Sequence, residues 1–287
     1  MEAESGNRSD GPRPRARSGP EARSLLLTVL GEYVAPRHRP VWTSTLVAAL
    51  GELGVREKAA RQALARSASD GWLVGERMGR RVRYDLTPST RELLDEGARR
   101  IYSFGGGGRE WDGRWLVLVT TVPEAERNLR HRLRTGLAWA GFGPLGPGVW
   151  ISPDATRDEE AAHVVGALGA RVQAVSFVGE HSALGDEASL VARAWDLPGL
   201  ERRYAGFLSE FSRLRPRHPA ATFCAQSRLV HEWRRFPFLD PGLPDSLLPA
   251  TWPGRRARDL FDRRHCEWAA ASRSWFEEAE ATAAECE

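Results

Sequence analysis

Apolar residues recur at helical spacing three times within the first seventy positions of the chain. The first repeat places Leu26, Leu30 and Val34 on one face. It predicts a helix that begins after an N-cap residue, Ser24, and ends at Pro36. The same spacing predicts two further helices, over residues 43–53 and 56–69.

The third predicted helix has two contrasting faces. One face is small and apolar, and is made of Ala60, Ala63, Leu64 and Ser67. The opposite face is basic and able to form hydrogen bonds. It is made of Lys58, Arg61, Gln62, Ala65, Arg66 and Ser69. Arginine and glutamine are the side chains that recognise guanine and adenine edges in the major groove, so this pattern predicts a recognition helix.

A basic β-hairpin is predicted directly after this helix. An extended stretch begins at Gly71, the chain turns at Met78 to Arg80, and alternation resumes from Arg81 to Leu86. Three helices followed by such a hairpin predict a winged helix-turn-helix, closed by a further helix from Pro88 to about residue 102. The hairpin would expose arginines to DNA phosphates or to the minor groove: Arg77, Arg80, Arg81 and Arg83.

The distribution of charge supports a polyanionic partner for this region. Residues 1–110 hold 19 basic and 14 acidic side chains, whereas residues 111–287 hold 22 and 24. Residues 56–83 alone hold eight basic and three acidic side chains. A solvated charged surface would have the same composition. The excess of basic residues indicates a polyanionic partner because it is concentrated on one helix and one adjacent hairpin.

The remainder of the chain predicts an α+β protein with three domains. Residues 1–22 lack apolar periodicity and predict a disordered tail, and glycine-rich residues 104–110 predict a linker. Strands over 115–120, 148–152 and 172–178 alternate with helices over 124–139 and 158–168, which predicts a β-α-β-α-β layer of the ferredoxin-like type. The expected domains are a winged helix at 23–103, a ferredoxin-like domain at 111–182 and a mostly helical effector domain at 183–287.

Several classes of protein lack support in the sequence. No apolar run approaches a membrane span, no signal peptide is visible, and the three cysteines form no paired motif, so we expect a cytoplasmic protein without a metal or cofactor. His231 and Glu232 begin a zinc-protease motif, but Arg235 occupies the position of its second histidine. An enzyme acting on an acyl-coenzyme A or a nucleic acid, and a purely architectural protein, remain the alternatives to a DNA-binding regulator.

Two segments resemble the PaaX family of bacterial transcriptional repressors. The first is the run from Arg61 to Leu73, which ends in Asp-Gly-Trp-Leu, and the second is Leu-Val-His-Glu-Trp-Arg-Arg-Phe-Pro at 229–237 with the proline-rich stretch up to Gly254. The resemblance implies a homodimer that binds an imperfect palindrome in double-stranded DNA and represses an aromatic-acid operon, notably for phenylacetate. It implies release by an acyl-coenzyme A and a central domain similar to a small CRISPR-associated nuclease. That nuclease carries an aspartate at the end of its first strand. Here the strand ends Val119-Thr120-Thr121-Val122, and we therefore infer no nuclease activity.

These arguments give two sets of candidate site residues. For base contact we expect Arg61, Gln62 and Arg66, and for phosphates or the minor groove Arg56, Lys58, Arg80, Arg81 and Arg83. For the effector we expect His231, Trp233, Arg234, Arg235 and Trp252. A structural interpretation competes with the second set: the prolines would form a rigid strap, anchored by Trp233, Phe236, Phe238, Leu239 and Trp252.

Overall fold

The computed structural model of the protein describes residues 19–105 and 110–285. Their contacts form two compact units. The first unit comprises the residues up to Ala98, residues 215–231 and the residues from His265 onward. The second comprises residues from Arg99 to Leu214 and from Glu232 to Arg264. Most of the predicted tail, and residues 106–109 of the predicted linker, lie outside the described residues.

Within the described residues, helices and short strands are mixed as far as residue 180, and helices alone follow. The elements before the central sheet are α1 (Gly19–Val29), β1 (Val41–Trp42), α2 (Thr43–Glu52), α3 (Glu57–Ser69), β2 (Leu73–Met78), β3 (Arg81–Leu86) and α4 (Pro88–Ser103). The central sheet and its helices are β4 (Arg114–Thr121), α5 (Arg127–Trp139), β5 (Gly143–Gly146), β6 (Val149–Ser152), α6 (Asp158–Gly166) and β7 (Gln173–Glu180). The remaining helices are α7 (Glu187–Ala194), α8 (Leu197–Ser212), α9 (Pro219–Trp233), α10 (Phe236–Leu239) and α11 (Gly254–Glu285).

The first helix begins five residues earlier than its apparent cap. The prediction that Ser24 is the N-cap is wrong, because α1 starts at Gly19 and Ser24 lies within it. The additional turn is held by packing, since Ala22 and Leu25 are completely buried. A proline at position 20 is compatible with this start, because the first amides of a helix need no intrahelical acceptor. After Val29 the chain continues as a π turn over Leu30–Val34 and a 3-10 turn over Ala35–Arg37.

Segments from both ends of the chain build the core of the first unit. Its sheet has the antiparallel order β1-β3-β2, so the short strand β1, which the sequence did not predict, extends the predicted hairpin. The ring of Tyr33 lies 4.9 Å from that of Phe223 in α9 and 5.2 Å from that of Phe276 in α11. The Tyr33 hydroxyl bonds the hydroxyls of Ser227 and Ser272 at 3.1 and 2.6 Å. The second half of α11 is therefore part of the same core as α1.

The second unit contains a four-stranded antiparallel sheet in the order β5-β6-β4-β7. The prediction of a β-α-β-α-β succession is wrong by one strand, because the observed succession is β-α-β-β-α-β. The missed strand β5 has the sequence Gly-Pro-Leu-Gly, which is typical of a turn. Proline is tolerated there because β5 lies at the edge of the sheet and needs no amide donor on its outer side.

Both faces of this sheet are covered near its centre. Leu116 and Leu118 of β4 pack with Leu133 and Leu137 of α5 on one face. The alternate residues of β4 point to the other face, where Trp115 packs in a cluster that includes Val191 and Leu243. The alternation of side chains along a strand explains this division.

The prediction of a mostly helical segment beyond residue 183 is confirmed by α7 to α11. One face of α8 is apolar and buried, and it includes Tyr204 and Phe207. The proline-rich segment packs against this face, because Asp240 accepts a 2.5 Å hydrogen bond from the Tyr204 hydroxyl. The expectation that Phe238 and Leu239 anchor the segment is wrong, since their side chains are 42% and 43% exposed.

Candidate nucleic-acid interface

Helix α3 presents the two faces that its spacing predicts. Ala60, Ala63, Leu64 and Ser67 are at most 4% exposed and form its packed side. The turn before α3 contains Gly54 at a φ of +82°, a left-handed conformation that glycine adopts without strain. The small side chains let α3 lie close to α1 and α2.

The opposite side of α3 is exposed and carries the predicted contact residues. Arg56, Lys58, Arg61, Gln62 and Arg66 are all solvent-exposed. Arg61 forms an exposed ion pair at 2.8 Å with Glu57, one turn earlier on the helix. Among the described residues the structure gives Lys58, Gln62 and Arg66 no side-chain hydrogen bond or ion pair, so their polar groups are available to a partner.

A tight turn projects the hairpin. Met78 pairs with Arg81, so Gly79 and Arg80 alone form the loop. Gly79 has a φ of +63° while Arg80 does not have a positive φ, which is the pattern of a type II′ turn. Arg80 is exposed at the tip, and the Arg77 Nε donates to the Gly79 carbonyl at 3.1 Å.

The two arginines that follow the turn have intramolecular partners. The guanidinium of Arg83 pairs with Glu76 across the hairpin at 3.0 Å. The guanidinium of Arg81 lies 3.8 Å from the ring centre of Trp42 and donates to the carbonyls of Ala283 and Ala284 at the end of α11. Sequence reasoning missed these last contacts, because no local pattern connects positions 81 and 283.

The predicted effector residues are distributed between the two units. His231 belongs to the first unit, where its Nδ1 bonds the Thr28 hydroxyl at 2.9 Å. Trp233 is completely buried in the second unit, stacks on Phe261 at 4.7 Å, and donates from its indole nitrogen to the Ile101 carbonyl at 3.2 Å. Trp233 is therefore a core side chain.

The other three predicted effector residues differ in their surroundings. Arg234 is half-buried, and burial together with the adjacent Arg235 lowers its pKa. Arg235 is exposed and pairs with Glu232 at 3.2 Å. Trp252 is partly buried and meets the ring of Tyr204 edge-on at 5.9 Å.

A cleft of about 230 Å³ lies in the second unit beside α8 and α10. Of the five predicted effector residues, Arg235 alone lines it. Its other lining residues are two aromatic rings, four further apolar or charged side chains and a glycine: Phe207, Phe236, Leu239, Arg203, Glu210, Glu232 and Gly206. Sequence reasoning missed Arg203 because it lies on α8, outside the segment that carries the resemblance.

Comparison with known proteins identifies the family. Three family models match consecutive stretches: PaaX-like protein at 21–90, the PaaX protein central Cas2-like domain at 108–191, and the PaaX-like protein C-terminal domain at 195–278. The transcriptional repressor PaaX of Escherichia coli (strain K12) is 30% identical over 248 residues, which are 83% of this chain and 77% of that protein. The chain belongs to the PaaX family.

A solved structure extends this comparison to nearly the whole PaaX-family chain. The uncharacterized protein Rv0674 from Mycobacterium tuberculosis matches with a TM-score of 0.59 and 26% identity, covering 89% of this chain and 98% of that one. The exposed face of α3 and the basic hairpin both lie within the first matched stretch, residues 21–90. The curated relative is named as a transcriptional repressor.

Two further findings concern the described part of this PaaX-family chain. Across residues 19–105 and 110–285, no group of three or more histidine, cysteine, aspartate or glutamate side chains is placed to hold a metal ion. Within the same ranges, no helix combines the length and the apolar character that crossing a bilayer requires.

Proposed function

We propose that the protein is a transcriptional repressor that binds double-stranded DNA through α3 and the β2–β3 hairpin. The observation that carries the proposal is the exposed polar face of α3, on which Lys58, Gln62 and Arg66 have no partner among the described residues, beside a hairpin with an exposed arginine at its tip. The PaaX relative named as a transcriptional repressor supports the same function.

The contacts follow from the chemistry of each side chain. In this proposal α2 and α3 form the helix-turn-helix, β2 and β3 form its wing, and α3 enters the major groove. Arg61, Gln62 and Arg66 contact bases, because their exposed side chains project from one side of α3. The remaining cations contact phosphates or the minor groove: Arg56, Lys58, Arg80 and Arg83, with Arg81 considered in the next section.

A homodimer would present two α3 helices to successive major grooves. The operator is then a pseudo-palindrome with half-sites about one helical turn apart. Along the sequence we propose domain bounds of 23–103, 111–182 and 183–287, with residues 104–110 as the linker. The third segment is not a separate compact unit, because its residues 215–231 and those from His265 onward belong to the first unit. The β-α-β-β-α-β succession and the strand order β5-β6-β4-β7 support a ferredoxin-like central domain.

We further propose that an acyl-coenzyme A such as phenylacetyl-coenzyme A releases the protein from its operator. The cleft beside α8 is lined by two arginines, two aromatic side chains and two glutamates: Arg203, Arg235, Phe207, Phe236, Glu210 and Glu232. Arg203 and the aromatic rings suit an anionic aromatic group, and Arg235 would have to release Glu232 to bind it as well. His231, Arg234 and Trp252 stay predictions for this role, and Trp233 does so only as a core residue behind the site, because its side chain is completely buried. Operator DNA must weaken the binding of the thioester by the same factor by which the thioester weakens DNA binding.

The proposed function places the protein in the cytoplasm, where its operator is accessible, and requires no cofactor. DNase I footprinting of the DNA upstream of the protein's own operon tests the proposal. We expect two protected half-sites about ten base pairs apart, which phenylacetyl-coenzyme A removes. Uniform protection along the DNA would exclude a sequence-specific repressor. So would the absence of protection at protein concentrations that already retard random DNA in a gel. Protection that the thioester leaves unchanged would exclude that effector.

A further inference from the structure

The end of α11 contacts the two elements on either side of α3. All of these elements belong to the first compact unit. One contact reaches the amino-terminal end of α2, and the other reaches the basic hairpin β2–β3. Both contacts meet at Trp42, the last residue of β1 and the residue that precedes α2.

Glu280 makes the contact with α2. Its carboxylate accepts hydrogen bonds from the Trp42 amide at 3.2 Å and from the Thr45 hydroxyl at 2.6 Å. The amino-terminal end of a helix carries free amides and a partial positive charge, so an anion stabilises it. Thr45 is 1% exposed, and the Glu280 carboxylate that bonds it is therefore held at the edge of the core.

Arg81, in the hairpin, makes the second contact with α11. Here the hairpin provides the cation and the end of α11 provides the partial negative charge. The Arg81 guanidinium donates to the carbonyls of Ala283 and Ala284, which lie in the last turn of α11. Carbonyls in a last turn lack intrahelical donors, and a cation there is stabilised by the helix dipole. The planar guanidinium also stacks over the Trp42 ring at 3.8 Å.

Strand pairing carries the contact into the hairpin. Trp42 pairs with Arg83 in the β1–β3 ladder, and the Thr43 hydroxyl donates to the Val82 carbonyl at 2.8 Å. The two strands differ in packing. Leu73 and Leu86 at the base of the hairpin are buried and β3 is half-buried, whereas every residue of β2 after Leu73 is exposed. The contacts around Trp42 therefore support the hairpin through β3.

We propose that the last two turns of α11 hold the basic hairpin beside α3, and that Glu280 and Arg81 are the positioning residues. Arg81 then supports the hairpin from within and is not a phosphate ligand, in contrast to its neighbour Arg80 at the tip. The proposal rests on the proposed function in one respect, because it assumes that the hairpin contributes to DNA binding. It makes the carboxyl-terminal helix a determinant of operator affinity.

Hydrogen exchange of the hairpin amides in the DNA-free full-length protein tests the proposal. Arg81→Ala and Glu280→Gln are each expected to raise exchange over residues 73–86 by about fivefold. The matched controls Arg80→Ala and Glu285→Gln remove the same charges from the same two elements and are expected to leave exchange within about twofold of the wild type. Arg81→Lys is expected to raise exchange as well, because an ammonium cannot stack on Trp42 and bond two carbonyls together.

The salt dependence of DNA binding separates support from direct contact. Arg80→Ala should reduce the slope of log K against log salt by about 0.9, the value for one lost phosphate contact, whereas Arg81→Ala should weaken binding at an unchanged slope. Unchanged exchange in Arg81→Ala and Glu280→Gln would overturn the proposal, as would a slope for Arg81→Ala that falls as in Arg80→Ala. Because hydrogen exchange is measured without DNA, its outcome does not depend on the proposed function. A wild-type protein that binds operator and random DNA equally would refute the proposed function and leave the exchange result intact.

Discussion

Replacing Arg66 by alanine is expected to weaken operator binding and to relax sequence preference. The side chain is exposed on α3 and has no partner among the described residues, so it gives up no intramolecular bond when it meets a base. A bidentate pair with a base contributes about 1–3 kcal/mol of discrimination, which corresponds to roughly 5- to 150-fold in the dissociation constant. Arg61 must first release Glu57, an exposed ion pair that is worth about 0.3–0.5 kcal/mol. Arg66→Ala should therefore reduce the free energy of operator binding more than Arg61→Ala does, by up to that amount.

The assay for this prediction is fluorescence anisotropy with labelled upstream DNA and with a scrambled duplex, at two salt concentrations. Lys58→Ala is the matched control, because it removes one exposed cation from the same helix and is expected to weaken both duplexes equally. The thermal midpoints of all variants should stay near that of the wild type, since the replaced side chains are outside the core. Equal losses on the two duplexes for Arg66→Ala would refute the assignment of Arg66 to a base.

Three further predictions concern the core. Ser67→Ala should stabilise the protein by about 1 kcal/mol in urea unfolding, because its hydroxyl is buried and lacks a partner in the described residues; a loss of stability would show that the hydroxyl is bonded. Burial raises the pKa of Asp240 above 3.8, although the Tyr204 hydroxyl opposes the shift. The native state thus binds more protons, and the free energy of unfolding should fall as pH rises from about 3.8 through the raised pKa; a pH titration of Asp240→Asn should lack this decline. Trp233→Ala should lower the free energy of unfolding by about 3–5 kcal/mol in chemical denaturation, and Trp233→Phe by less; a small loss for the alanine variant would contradict its place in the core.

The sequence was sufficient where structure depends on local periodicity. The spacing of Ala60, Ala63, Leu64 and Ser67 predicted which face of α3 is buried, because side chains on one helix face must share one environment. It was insufficient where tertiary packing overrides local preference. Residues 143–146 form an edge strand although glycine and proline disfavour strands.

Contacts between distant positions were beyond any local pattern. Arg81 is a basic residue next to the tip of the hairpin, as expected of a phosphate ligand. The sequence analysis therefore predicted the same role for Arg81 as for Arg80. Its bonds to Ala283 and Ala284 depend on the course of more than two hundred intervening residues. Likewise, the prediction of a mostly helical segment over 183–287 includes α11 but could not show that the second half of this helix shares a core with Tyr33.

The specificity ratio of the wild-type protein tests the central claim most directly. Its dissociation constants for the DNA upstream of its own operon and for a scrambled duplex should be compared by competition anisotropy at physiological salt. Sequence-specific binding through α3 predicts a preference of at least about a thousandfold for the upstream DNA. Equal affinities for the two duplexes would contradict it, and would reduce the exposed face of α3 to a non-specific cationic surface.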